Sequence, residues 1–212
     1  MKKWIALSLA LCMALGILSG CGAQTATPTE TTAPTEATES KPLGTLYVSF
    51  GATLEIIYDQ NGNALELIGT NEAGKVLAEA KQDQLNKGCV YTLRSILRYA
   101  ITEDLLGDAK TVTIRVGAEE RLPKNDFLDE IAYDCQLLID EELAGMDMIS
   151  LTEDRLDDYG DLSYETAKLL AETYLESAEV SGEQVAVGGV FTFTAGERSC
   201  TVDAFTGLVI GK

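Results

Sequence analysis

The sequence predicts an α+β protein with two small domains, each a mainly antiparallel sheet with helices packed on one face. Two patterns carry this expectation. Stretches such as Leu46–Phe50 and Thr111–Val116 are β-branched, aromatic or alternating, as half-buried strands are. Stretches such as 91–105 and 126–143 place apolar residues three and four apart, as amphipathic helices do. Between residues 44 and 150 the predicted order is three strands, two helices, a strand, a helix and a last short strand, an arrangement suited to helices layered on one sheet.

Leu46, Val48 and Phe50 alternate with Tyr47 and Ser49 to give the first strand, and Thr53–Tyr58 gives the second. Asp59-Gln60-Asn61-Gly62-Asn63 is a hairpin turn, because Asn-Gly accepts the positive φ of a type I′ turn. Ala64–Ile68 returns as the third strand. Asn71 is placed to cap a helix running to about Gln84. A second helix follows over 91–105, with Leu93, Ile96, Leu97, Ala100 and Ile101 on one face. Thr111–Val116 is a β-branched strand. Phe127, Ile131, Cys135 and Leu138 share a face of a long helix over 126–143, and Met148–Leu151 closes the sheet.

Residues 152–161 are acidic and read as a short helix or loop. Ser163 caps a helix over 164–177 that buries Ala167, Leu170, Ala171 and Tyr174. Gly182 opens a β region. In it, Val185–Thr194 reads as a strand bent at Gly188-Gly189, Ser199–Asp203 as the next, and Leu208–Ile210 as the last.

The first 43 residues have a different character. Lys2 and Lys3 precede an apolar run from Trp4 to about Leu18, which ends in Leu18-Ser19-Gly20-Cys21. This is the layout of a secretory signal peptide, and its end resembles the bacterial lipobox. Residues 1–20 are then a lipoprotein signal peptide, and the Cys21 thiol receives the lipid. Residues 21–43 form a Thr/Pro-rich tether, too poor in large apolar side chains to offset the entropy of ordering.

Two further resemblances follow. Leu46–Asn63, Gly69-Thr-Asn-Glu-Ala-Gly-Lys75 and Val112–Val116 together resemble the extracytoplasmic middle domain of RsgI-type anti-sigma factors, over about 44–150. In that family an Asn-Pro-Ser segment at the position of Gly51-Ala52-Thr53 is associated with self-cleavage. Gly51-Ala52 lacks the Asn-Pro amide, so no self-cleavage is expected. The sigma-binding region and internal transmembrane helix of that family have no counterpart in the chain. Residues 151–212 resemble a PepSY-like domain through one helix, a three-stranded meander and the terminal Asp203-x-x-Thr206-Gly207. That resemblance implies an inhibitor or chaperone-like module for a surface protease as an alternative function.

Composition narrows the chemistry. With 34 acidic against 16 basic residues and no histidine, the formal charge is −18. A general nucleic-acid binder is not expected, because phosphate neutralisation needs a basic patch. Without histidine there is no Ser-His-Asp triad, Cys-His dyad or His-ligated zinc. No C-x-x-C occurs, and Cys135 and Cys200 fall on apolar faces, as buried reduced thiols do. Asp59, Asn61 and Asn63 imitate the start of an EF-hand loop, but Ala64 and Thr70 occupy its glycine and glutamate positions. Glu153, Asp154, Asp157, Asp158 and Asp161 do not have that spacing either and read as a solvated acidic face.

The expectation is a lipid-anchored extracytoplasmic binding or sensing module with no catalytic residue, cofactor or metal. It would sit on the cell membrane through its anchor and bind an extracytoplasmic protein, peptide or glycan. The strand Val185–Thr194 is a candidate for strand addition. A carboxylate-dependent enzyme is the remaining alternative.

Overall fold

The computed structural model describes residues 40–117, 119–142, 146–183 and 189–212. The expected signal peptide, Cys21 and the expected tether up to residue 39 lie outside the described residues. Glu39–Lys212 is one compact unit, and it contains every described helix and strand.

A five-stranded sheet, in the order β3-β2-β1-β4-β5, is built from β1 (Pro42–Phe50), β2 (Ala52–Asp59), β3 (Ala64–Gly69), β4 (Thr111–Val116) and β5 (Asp147–Ser150). All its neighbours are antiparallel except β4 and β5. Strand β1 begins inside the expected tether, because Pro42 already pairs with Asp59. The helices α1 (Glu72–Ala80), α2 (Cys89–Thr102) and α3 (Phe127–Glu142) cover one face. Their buried residues join Leu46, Val48, Leu54, Ile56, Val112 and Ile114 in a first core.

Asn71 does more than cap α1. Its Oδ1 accepts from Gly74 N–H at 2.8 Å and from Thr53 N–H at 3.0 Å, while its Nδ2 donates to the Gly51 carbonyl at 2.8 Å. One side chain thus ties the helix start to the β1–β2 connection. The two are in direct backbone contact: a Cβ on Gly74 would fall 2.1 Å from the Thr53 carbonyl oxygen. Only glycine permits that approach.

The β2–β3 turn differs from the expected type I′. Gly62 has φ 75°, but Asn61 does not take a positive φ. Asp59 explains the difference. Its Oδ1 accepts from the N–H groups of Asn61 and Asn63 at 2.8 and 2.9 Å, folding the turn around its own carboxylate. The carboxylate is therefore occupied by the turn rather than held out as a cation ligand.

The second core gathers on a four-stranded antiparallel sheet: β6 (Ser181–Glu183), β7 (Val190–Ala195), β8 (Arg198–Asp203) and β9 (Val209–Gly211), in that order. Helix α4 (Tyr164–Leu175) packs Ala167, Leu170 and Ala171 on it, against Phe191, Phe193, Cys200 and Val202. Ser163 caps α4 by accepting from Thr166 N–H at 3.2 Å. The strand expected at Val185–Thr194 begins at Val190, and Val185–Gly188 lie outside the described residues. It is not an edge strand. β6 and β8 flank β7 on both sides, which removes it as a site for strand addition.

Part of the outer edge of β5 is also occupied, by a side chain. Gln136 of α3 accepts from Met148 N–H at 2.7 Å through Oε1, and its Nε2 lies 3.4 Å from the Met146 carbonyl. Its amide stands where the peptide group of a sixth strand would stand.

The other face of the first sheet holds Ser49, Thr111, Thr113 and Arg115, all buried. The β8–β9 turn, Asp203–Gly207, docks there. Asp203 Oδ1 shapes the turn by accepting from Phe205 N–H, Thr206 N–H and the Thr206 hydroxyl. Thr113 then donates to the Thr206 carbonyl at 2.7 Å. Arg115 donates through Nη1 to the Phe205 carbonyl at 2.6 Å and through Nη2 to the Gly160 carbonyl at 2.8 Å. Its guanidinium lies 4.0 Å from the centre of the Phe205 ring, which meets Tyr47 edge-on. At the flank, Tyr174 donates to Asp108, and Lys110 pairs with Glu176 at 3.0 Å.

Candidate functional site

Beside the end of β4, the connector that leaves β5 for the second core borders a cleft of about 560 Å³. Val116 closes β4, Leu122 comes from the loop after it, and Leu128 comes from the first turn of α3. The opposite wall is the connector after β5, which contributes Leu151, Thr152, Glu153, Asp154 and Leu156. Leu128 and Leu151 are buried, Val116 and Leu156 are half-buried, and Leu122 is 39% exposed. The apolar side chains thus grade from core to solvent, as they do in a pocket open at one side.

The rim is acidic and held in place. Glu120 accepts from Thr45 N–H at 2.6 Å, which fixes the loop to β1. Glu153 and Asp154 lie on a 3₁₀ turn, Glu153–Arg155, closed by Arg155 N–H donating to the Thr152 carbonyl at 2.8 Å. The Thr152 hydroxyl donates to Asp154 Oδ1 at 2.5 Å and holds that carboxyl below its usual pKa. Among the described lining residues three carry carboxylates and none carries a cation.

A second concavity, of about 430 Å³, lies at the β2–β3 turn and is lined by Asn61, Tyr91, Lys124, Glu130 and Asp134 among others. Its charges are already matched: Lys124 with Glu130 at 2.6 Å, and Arg94 with Asp134 at 3.5 Å.

The structure disperses the acidic cluster of residues 153–161. Glu153 and Asp154 face the cleft. Asp157 instead folds its own loop, accepting from Tyr159 N–H and Asp161 N–H at 2.8 and 3.1 Å. Asp161 and Asp203 favour the charged form of Arg115, against burial, which lowers its pKa. Cys89, Cys135 and Cys200 are free and buried. Burial pushes Cys89 and Cys135 up to about 12 and Cys200 up to about 11. As thiols of that kind they are poor nucleophiles and poor metal ligands at neutral pH.

Sequence reasoning missed the cleft and Arg115. In Thr111–Val116, Val112 and Ile114 point to the helices, so Arg115 falls on the face expected to meet water. The usable signal was a cation on a strand whose facing turn, Asp203–Gly207, already stood out as a motif.

No protein-family model matches the chain, and no curated protein matches its sequence. Among the described residues no helix is long and apolar enough to cross a membrane.

Proposed function

We propose that the protein is a lipid-anchored extracytoplasmic binding or sensing module that performs no catalysis and does not cut itself. Its body is read as an RsgI-like domain over about 44–150 and a PepSY-like domain over about 151–212. The observation that carries the reading is the cleft: an apolar floor with a few fixed polar groups is the usual form of a binding site. The lining residues offer no thiol, and their threonine hydroxyl is engaged with Asp154. The Gly51 carbonyl rests in an ordinary hydrogen bond from Asn71, which supports an intact β1–β2 connection.

Three experiments test the proposal. Cys21→Ser should release the protein from the membrane fraction or stall its processing; unchanged retention would remove the anchor from the reading. NMR titration of residues 40–212 with short peptides and glycans should perturb Val116, Leu122 and Leu156 first. Perturbation confined to other surfaces would displace the cleft as the site. Intact mass of the mature protein should show one chain; two fragments meeting between Gly51 and Ala52 would refute the absence of self-cleavage.

A further inference from the structure

Resting on the reading of the cleft as a binding site, we propose that its occupant is a cationic, apolar peptide segment: aliphatic or aromatic side chains flanked by Lys or Arg. The floor selects the apolar part. Val116, Leu122, Leu128, Leu151 and Leu156 offer aliphatic contact to a chain that leaves water, and Leu122 stands exposed at the mouth.

The rim selects the charge. Glu120, Glu153 and Asp154 approach the cleft from both walls, and no cation among the described lining residues competes for them. Glu120 and Asp154 are each held by a hydrogen bond from the protein, from Thr45 N–H and the Thr152 hydroxyl. Carboxylates fixed before binding lose little side-chain freedom when a cation arrives. An anionic ligand would instead meet like charge at the rim. It would also meet the field of a chain with formal charge −18, which raises the local concentration of cations and repels anions. A neutral acyl chain would satisfy the floor but leave the rim without a partner.

The test uses residues 40–212, the compact unit that holds both cores, and three labelled probes. These are a peptide with a Leu-Val-Phe core flanked by Lys and Arg, the same core flanked by Glu, and dodecanoate. Binding is read by fluorescence anisotropy at low and high salt, with NMR shifts to locate it. The basic peptide should bind at the cleft, weaken as salt rises and lose about tenfold in affinity in the Glu153→Lys/Asp154→Lys variant, whose changes lie on exposed side chains. Leu122→Asp, also at an exposed position, should abolish binding without loss of fold, which circular dichroism checks. Equal or tighter binding of the acidic peptide or of dodecanoate at the cleft overturns the proposed ligand class while leaving the cleft a binding site. Basic-peptide binding that perturbs only other surfaces overturns both.

Discussion

Arg115 is the clearest place to test how the two cores are fastened. Arg115→Ala removes a fully buried side chain that donates to two backbone carbonyls, at 2.6 and 2.8 Å, and stacks 4.0 Å from the centre of Phe205. A hydrogen bond from a charged donor contributes about 1.5–3 kcal/mol, and a cation over an aromatic ring about 0.5–2 kcal/mol. Against this stands the desolvation of the cation, several kcal/mol, which the substitution also removes. Nε of Arg115 is buried with no hydrogen-bond partner among the described residues, so these residues do not fully compensate the charge. The two carbonyls left behind belong to Gly160, a half-buried residue, and Phe205, an exposed one. The balance is a loss of about 3 kcal/mol for Arg115→Ala, most of it from two lost bonds and the space left behind. Arg115→Lys should cost about 1–2 kcal/mol, because one ammonium cannot fork to two carbonyls and stack on a ring. Urea unfolding of residues 40–212, followed by circular dichroism, gives the stability. Hydrogen exchange should show protection lost first in β8, β9 and the Asp203–Gly207 turn. Arg115→Met matching the wild type would refute the reasoning, since packing alone would then hold the parts together.

Three other outcomes are expected. Asp59→Asn should destabilise the protein by about 1–2 kcal/mol at neutral pH, because the turn loses a charged acceptor. Burial raises the pKa of Asp59, but donation from Asn63 and Asn61 outweighs it and holds the pKa below the usual value. Its stabilisation is therefore complete above the unfolded carboxyl pKa of about 4 and is lost as pH falls through the lower folded value. Acid unfolding curves of wild type and Asp59→Asn should converge below that point, and a constant offset would contradict it. The three thiols of residues 40–212 should resist alkylation in the native state and all react in guanidinium; fast native labelling of any one would contradict their burial. Gln136→Ala should promote self-association measured by light scattering, since it bares the outer edge of β5; an unchanged monomer at high concentration would show that this edge is protected in another way.

The parts legible in the sequence are those set by local pattern. Alternation in Leu46–Phe50, the helical faces of α2 and α3, and the caps Asn71 and Ser163 depend on residues a few positions apart. The same holds for the burial of Cys135 and Cys200. The parts not legible depend on what meets across long separations. Arg115 reads as a solvent-facing cation until the turn ninety residues later is placed over it. β7 reads as a possible edge until β6 and β8 are seen to flank it. The cleft has residues from a strand end, a loop, a helix start and a connector, and no single stretch carries its pattern. Even the local Asn61-Gly62 signal was outweighed by the reach of Asp59 into its own turn.

The Gln136 amide on β5 matters most where molecules are dense. A chain anchored in a bilayer, as proposed here, diffuses in a plane, where neighbours collide far more often than at the same copy number in open solution. A sheet edge with free N–H and C=O groups would then seed filaments along the membrane. By filling that hydrogen-bonding position with its own side chain, the protein makes this edge a poorer polymerisation template.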